Sequence, residues 1–491
     1  MAGIFDPWHS RPIDVHRWSD HPEVADIVER IWQAHFQDMD GVKPGPKPRT
    51  PFKDQLKVLI LDCYVAWLED PALAIGVSMN ANAYDTGSRY NALHISKHIR
   101  LVIMRLVDVG LLDIAKGSFS GVGAGGNRTT RIRPSEALQA IFGGSKVTRD
   151  DIRRIETEEC VILRGVDDRL IDYQDTDETN RQRDELRAYN RVLADNHVDL
   201  PGLDEPRLVT GQERGRDTVQ HIGRHYQFIR RVYSRGDWGC NGRFYGGWWQ
   251  MVNSTYRKTI LINDIPTVEV DFKAMHVQIL SAEKGIALAG DPYELPAGTV
   301  PGTPPALQRT LVKKLLLTAL NARDRQSAYR SFRGEWPEGH MGKNMTDKEL
   351  EQLVQVFLTH NHHLADRVFA DQGIRLMNVD SQIAERVHRH FTDQGVPVLS
   401  VHDSFIVDYT RVGELKRVMA EASEAVVGKP LPVSWAGVGL DEVDADQQED
   451  LRKWREDRVV RSPGYLARLA AWPLERGELA VAGGPFTADE S

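Results

Sequence analysis

The sequence predicts an α+β protein of several domains, in which helices are separated by short strands. Residues 52–69 place apolar side chains at helical spacing, residues 267–272 alternate apolar and polar side chains as a strand does, and residues 396–401 and 405–409 are two short, mainly apolar segments that suit a β-hairpin. The chain has 491 residues, enough for about two to four domains. Its composition, 41% hydrophobic and 27% charged, is ordinary for a folded globular protein.

Cysteine usage and hydropathy bear on the compartment. Cys63, Cys160 and Cys240 are far apart in the sequence, which excludes a disulfide framework and a cysteine-rich zinc site. The first residues lack the basic and apolar regions of a signal peptide. Apolar runs are shorter than the ~18–20 residues that cross a bilayer. We therefore expect a cytoplasmic protein with no membrane partner.

Positive charge is concentrated in two regions, although the formal net charge is −8. Residues 91–149 hold nine basic and three acidic residues, and residues 207–258 hold ten basic and three acidic residues. A localised positive field favours a polyanionic partner even in an acidic protein. Solvated helix faces would give the same charge pattern, so the motifs must decide between the two interpretations.

Changes in composition divide the chain into five predicted segments. They are an N-terminal helix with a proline-rich linker (1–51), a module of helices and a basic hairpin (52–149), a charged helical connector or thumb (150–235), a domain that carries the chemical motifs (236–435) and an acidic C-terminal extension (436–491).

Residues 52–149 combine two helices with a basic hairpin. The predicted helices are followed by a strand at 111–115, a glycine-rich turn and a basic strand at 128–133. This order resembles a winged-helix module, in which a helix enters a DNA groove and the wing contacts phosphates. A dimerisation or docking domain is the alternative. The resemblance implies DNA contacts from Lys97, Arg100, Arg128 and Arg131.

Two aspartates stand where predicted strands end. Asp271 lies near the end of the strand 267–272, and Asp403 lies at the tip of the predicted hairpin 396–409. A strand end and a hairpin tip can bring two carboxylates together, and Mg²⁺ prefers a few carboxylates combined with substrate phosphates. Either aspartate, taken alone, is also typical of a turn.

A predicted helix over 309–321 carries cations on one face. Arg309 and Lys313 are four residues apart, and Asn321 lies two turns further near the same side. Cations in one stripe can hold a triphosphate, with Asn321 placed to reach a sugar or base. An amphipathic helix with solvated cations has the same pattern.

The order of these motifs resembles motifs A, B and C of the family A polymerase superfamily, most closely the single-subunit, phage-type RNA polymerases. The resemblance covers about residues 225–425 and implies a polymerase-type palm, an antiparallel sheet with helices, and reduced fingers. The matching pieces, in order, are a lengthened template-contact motif at Asp237–Arg243, the strand ending at Asp271-Phe272, the helix with Arg309 and Lys313, a Ser381-Gln382 pair and His402-Asp-Ser-Phe405.

The resemblance implies a nucleotidyltransferase, a DNA-directed RNA or DNA polymerase. It would use a DNA template, nucleoside triphosphates and, where required, an RNA or DNA primer. Two Mg²⁺ ions, or Mn²⁺ in their place, would be held by Asp271, Asp403 and the Phe272 carbonyl. The other implied contacts are Arg309 and Lys313 with the triphosphate, His276, Asn321 and Lys314 with the nucleotide, and Arg243, Gln382 and His402 with template or primer.

The sequence leaves the choice of sugar open. His276 stands where family A DNA polymerases have a Glu and the phage-type enzymes have a Gly, Asn321 replaces an aromatic residue, and Asp380 replaces a His that helps to read the 2′-hydroxyl. The closest likeness favours ribonucleotides, as in priming or transcription of a mobile element. A DNA polymerase of the same superfamily is one alternative. A winged-helix regulator or replication initiator with a non-catalytic palm is another.

Overall fold

The computed structural model describes residues 5–41, 50–119, 127–213, 216–288 and 290–472. The chain forms two compact units, Met1–Glu159 with Ala470–Ser491, and Cys160–Leu469. The predicted five-segment division stays a prediction. Most of the proline-rich linker, the tip of the glycine-rich turn and the end of the C-terminal tail lie outside the described residues.

The first unit combines helices with a small sheet around one apolar core. Its helices are α1 Pro22–His35, α2 Phe52–Glu69, α3 Ile99–Asp108 and α4 Glu136–Gly143, and its strands are β1 Ser10–Pro12, β2 Arg17–Trp18, β3 Ala74–Val77, β4 Leu112–Ala115, β5 Thr130–Pro134 and β6 Arg153–Arg154.

The sheet of the first unit has the strand order β1-β3-β5-β4, and β4 and β5 form an antiparallel hairpin that follows α3. The predicted helix 52–69 and the predicted basic hairpin are confirmed. Helix α2 starts directly after Pro51 and ends before Asp70-Pro71. Proline is compatible with the start of a helix, and the residue before a proline disfavours helical geometry.

The second unit is built on an antiparallel sheet with the order β15-β16-β14-β13-β8, in which β17 also pairs with β14. Its strands are β7 Val161–Leu163, β8 Val198–Asp199, β9 Arg207–Glu213, β10 Arg216–His221, β11 Arg230–Ser234, β12 Asp237–Tyr245, β13 Leu261–Ile262, β14 Ile265–Phe272, β15 Leu399–Val401, β16 Ser404–Asp408 and β17 Val433–Trp435. Its helices are α5 Asp177–Ala194, α6 Ser254–Arg257, α7 Met275–Glu283, α8 Pro305–Asn321, α9 Arg325–Gly334, α10 Met341–Asn344, α11 Asp347–His360, α12 Gly373–Asp393, α13 Val412–Val427, α14 Gln448–Glu456 and α15 Pro463–Ala470.

Alternation along β14 sets the two faces of this sheet. Val268, Val270 and Phe272 are buried in the core, so Glu269 and Asp271 lie on the opposite face. The α+β class and the antiparallel sheet agree with the sequence prediction.

The prediction that residues 150–235 are mostly helical is wrong. In the described part of this segment α5 is accompanied by six strands, among them the β9–β10 hairpin. Charged and polar residues occupy much of β9 and β10, so these strands lack the alternating apolar pattern that reveals a half-buried strand. Over the ranges that the structure describes, no helix is both long and apolar enough to cross a membrane.

Candidate functional site

Strand pairing brings the two predicted carboxylates to the same place. Asp271 lies opposite Ser404 in the antiparallel β14–β16 pair, and the Phe272 amide donates a hydrogen bond of 3.2 Å to the Asp403 carbonyl oxygen. Residues 402 and 403 form the two-residue turn between β15 and β16. The end of β14 therefore lies beside the hairpin tip, and Asp271 and Asp403 line one cleft.

Unusual backbone conformations lie next to both carboxylates. His402, directly before Asp403, has φ 59°, and Ala274, three residues after Asp271, has φ 50°. A side chain in this left-handed region costs about 1–3 kcal/mol, and such strain is concentrated at functional sites. The hairpin is held by the Ser404 hydroxyl, which donates to Glu269 at 2.7 Å.

The cleft has a volume of about 880 Å³ and is lined from several elements. Helix α8 contributes Arg309, Lys313, Leu317 and Asn321, four residues at intervals of four that form one stripe. The predicted cation face of this helix is therefore turned towards the carboxylates. The cleft also contains the predicted residues Arg243, Phe272, His276 and His402.

The two cations of the α8 stripe have different surroundings. Arg309 donates to Asp291 at 2.6 Å, and its guanidinium carbon lies 6.0 Å from the centre of the Tyr293 ring. Lys313 forms no ion pair with any residue that the structure describes, and its charge acts to lower the pKa of Asp271. Lys313 is therefore free to bind an anion in the cleft. Arg309 must release Asp291 before it can bind the same anion.

A buried hydrogen-bonded cluster closes another side of the cleft. Arg243 Nε lies 3.0 Å from both carboxylate oxygens of Asp380, and His276 Nε2 lies 3.2 Å from Asp380 Oδ2 and 3.3 Å from Arg243 Nη2. The Asp380 side chain is 1% exposed. A buried carboxylate with two such partners fixes both side chains, so Arg243 is oriented by the protein itself.

Electrostatics at the cleft floor favour a cation. The Asp271 residue is exposed at the cleft, but protein atoms surround its carboxyl group and reduce the hydration of the charged form. This burial and the nearby Asp403 carboxylate raise the pKa of Asp271 to about 7, although Lys313 opposes them. Burial, followed by the charge of Arg243, lowers the pKa of His402, so a neutral imidazole precedes Asp403 near neutral pH.

The donor set fits Mg²⁺ or Mn²⁺ held jointly with a substrate. Within the described ranges, no group of three or more His, Cys, Asp or Glu side chains is arranged to hold a metal ion. The cleft instead offers two carboxylates that repel each other, and a cation between them removes that repulsion. Since Mg²⁺ usually combines one or two carboxylates with water and phosphate oxygens, the set suits a phosphate-bearing substrate.

The raised pKa of Asp271 predicts how stability depends on pH. Between pH ~4 and ~7 the unfolded chain loses the Asp271 proton while the folded chain keeps it. The free energy of unfolding of the metal-free protein therefore falls as the pH rises to ~7, and above pH ~7 the contribution of this group no longer changes. Asp271→Asn is therefore expected to raise Tm in EDTA at pH 8 and to leave it unchanged at pH 4. Thermal denaturation across pH measures this, and an equal effect at both pH values would contradict it.

Two predicted site residues of this unit lie outside the cleft. The Lys314 ammonium lies 3.4 Å from Glu335 and 4.2 Å from the centre of the Trp336 ring, and its predicted nucleotide contact stays a prediction. Its neighbour Lys313 faces the cleft because adjacent helical residues point about 100° apart. Gln382 is exposed on α12 and donates to Asn378 at 3.0 Å, so its predicted nucleic-acid contact stays a prediction.

Of the four predicted DNA contacts of the first unit, Arg100 lies in α3 and Lys97 just before it, whereas Arg131 lies in β5 and Arg128 just before it. Lys97 is exposed, and Arg128 donates to the Lys116 carbonyl at 3.0 Å. Arg100 donates to the Met79 carbonyl at 3.0 Å, and Arg131 donates to the Ser10 hydroxyl at 2.7 Å. These contacts fix the guanidinium groups and do not test DNA binding.

Sequence reasoning missed Asp291 and Tyr293 and did not foresee the pairing of Asp380 with Arg243. Asp291 and Tyr293 belong to the described stretch 290–304, which forms neither a helix nor a strand, so periodicity gives no signal there. A lone acidic residue in such a segment has no feature that would point to Arg309. Only the fold brings them together.

The comparisons with known proteins give little beyond this geometry. No protein-family profile and no curated relative matches the chain. Among solved structures, the chain is similar to the POL domain of Pol1 from M. smegmatis in complex with DNA primer-template and dNTP, at 13% sequence identity and a TM-score of 0.29. The match covers 53% of this chain and 51% of the chain of the solved structure, so this chain spans about half the length of that structure. A similarity this low carries no argument about function.

Proposed function

We propose that the second unit catalyses template-directed nucleotidyl transfer from nucleoside triphosphates, with release of pyrophosphate. The observation that carries the proposal is the cleft itself, where Asp271 and Asp403 face Arg309 and Lys313 from α8. Phosphoryl transfer needs mainly positioning and charge neutralisation. Two carboxylates opposite two cations supply positioning and charge neutralisation for a triphosphate, which is itself negatively charged.

Each cleft residue has a role under this proposal. Asp271, Asp403 and the Phe272 carbonyl would hold two Mg²⁺ ions, which activate the attacking hydroxyl and neutralise phosphate charge when bound. Lys313 stabilises the charge that develops on the departing pyrophosphate. Arg309 grips the terminal phosphate after it releases Asp291. A triphosphate can displace this carboxylate because it offers more negative charge to the same guanidinium group.

We infer that ribonucleotides are the preferred substrates, with a DNA polymerase as the alternative. His276 lines the cleft and is held by Asp380 and Arg243. A fixed polar ring can hydrogen-bond a ribose hydroxyl, which an apolar side chain at the same place could not do. The same ring excludes the ribose if it lies too close to the sugar, so the preference for ribose or deoxyribose must be measured directly.

Extension of a primed and an unprimed single-stranded DNA template with labelled NTPs or dNTPs tests the function. With Mg²⁺ we expect incorporation of NTPs and weaker incorporation of dNTPs, and His276→Ala should reduce the preference between the two sugars. Preferred incorporation of dNTPs would establish the DNA polymerase alternative. No product under any condition, with DNA binding intact, would favour a DNA-binding regulator whose palm is non-catalytic.

We further propose that the first unit is a winged-helix-like DNA-binding module. The neighbouring strands β3, β5 and β4, with the β4–β5 hairpin directly after α3, support this assignment. Such a hairpin and helix present phosphate contacts and groove contacts respectively. A site-binding module linked to a small polymerase fits start-site-dependent synthesis, such as priming or transcription of a mobile element.

Removing two cations of this module is expected to weaken duplex binding with a characteristic salt dependence. Lys97→Gln with Arg128→Gln should lower the slope of log affinity against log salt by up to ~1.8, because each phosphate contact contributes ~0.9. Fluorescence anisotropy with a labelled duplex at several salt concentrations measures the slope. Arg30→Gln, an exposed cation on α1, is the matched control. An equal change in that control would contradict the assignment.

A further inference from the structure

A second groove lies beside helix α14 in the second unit, and we propose that it binds single-stranded nucleic acid. The groove has a volume of about 570 Å³. Its walls come from four stretches that are distant in sequence, namely 200–203, 255–261, 266–267 and 454–460. The proposal goes beyond nucleotidyl transfer, because none of these residues lines the catalytic cleft.

The charged residues that line the groove are all basic. They are Lys258, Arg455 and Arg458, and no carboxylate side chain contributes to the described lining. Lys258 and Arg458 form no ion pair with any described residue. The nearby Glu456 accepts a hydrogen bond from the Tyr409 hydroxyl at 2.7 Å, so it is engaged elsewhere. Three cations without neutralising carboxylates form a local site for a polyanion in an acidic chain.

An aromatic ring stands among these cations. Trp454 is 51% exposed, and the guanidinium carbons of Arg455 and Arg458 lie 5.4 and 5.0 Å from its ring centre. An exposed indole flanked by arginines is a platform on which an unpaired base stacks while the cations contact its phosphates. An acidic peptide would satisfy the charges but would leave Trp454 without a planar partner, and duplex bases are already stacked on each other.

The groove lies close to the candidate catalytic cleft on the same strand. Thr267 lines the groove and Asp271 lines the cleft, and four residues of β14 span about 14 Å. A single strand held at α14 therefore remains within a few nucleotides of the carboxylates. The groove can retain a template or a displaced strand without any contact in the cleft.

Binding of labelled oligothymidylate and oligouridylate of ~12 nucleotides to the full chain tests the proposal. The measurement is made in EDTA without nucleoside triphosphate, so its outcome is independent of catalysis. Trp454→Ala is expected to weaken binding roughly 5- to 150-fold, the loss of one stacked base, and Trp454→Phe should retain most of the affinity. Arg458→Gln should lower the salt slope by about 0.7, the value for one phosphate contact on a single strand.

Lys453→Gln is the matched control, because this lysine is on the same helix, pairs with Glu449 and does not line the groove. Its affinity and salt slope should equal those of the wild type. Unchanged binding in Trp454→Ala and Arg458→Gln, with Tm retained, would overturn the proposal. Equal competition by polyglutamate would also overturn it, since charge alone would then explain the binding. DNA and RNA probes establish which strand type binds more tightly.

Discussion

Nucleotide incorporation is expected to fall by about 10³-fold when Asp403 is replaced by Asn. The substitution keeps the size of the side chain in the two-residue turn but removes one of the two carboxylates on the cleft floor. A 10³-fold loss corresponds to ~4 kcal/mol of transition-state stabilisation, which is the scale of a lost metal ligand. The measurement is the rate of labelled nucleotide incorporation with saturating Mg²⁺ on a primed template.

Asp393→Asn provides the matched control for this experiment. Asp393 is exposed at the end of α12 and does not line the cleft. The control should incorporate nucleotides at the wild-type rate, and both variants should bind DNA with unchanged affinity. If Asp403→Asn retained a rate within about threefold of wild type, the carboxylate pair would have no role in catalysis and the proposed chemistry would be wrong.

The elements that carry the carboxylates were predictable because they are local. Alternation over 267–272 and the apolar runs on both sides of His402-Asp403 identify a strand and a hairpin without any knowledge of the fold. What the sequence could not determine is that the two elements are neighbours in one sheet. The β14–β16 register, with Asp271 opposite Ser404, supplies that information.

The partners of the predicted cations were not predictable, because these contacts are not local in the sequence. Arg243 meets Asp380 across 137 residues, and Arg309 meets Asp291 across 18 residues. Neither carboxylate lies at a spacing that a helix or strand pattern would connect with its cation. Tertiary packing alone decides these contacts. The sequence therefore identified the cations that are able to bind phosphate, but it did not identify the carboxylates that pair with these cations when no ligand is bound.

Helix phase separates two neighbouring lysines of α8 and leads to a sharp test. Lys313 and Lys314 are adjacent and chemically identical, but Lys313 faces the cleft while Lys314 packs over Trp336 and pairs with Glu335. Lys313→Gln is expected to lower kcat by about 10²- to 10³-fold, since it removes a donor aimed at developing charge. Lys314→Gln should change kcat less than twofold.

Single-turnover incorporation and nucleotide affinity, measured for both lysine variants, separate chemistry from binding. Lys313→Arg keeps the positive charge, so it should recover part of the rate, whereas Lys313→Gln should lower the rate more than the affinity. A merely structural lysine would instead lower Tm and leave the rate per folded molecule unchanged. If Lys314→Gln were the more damaging substitution, α8 would present its other face to the triphosphate. The stripe formed by Arg309, Lys313, Leu317 and Asn321 would then not be the nucleotide-binding surface, because two faces ~100° apart on one helix cannot both contact the same phosphates.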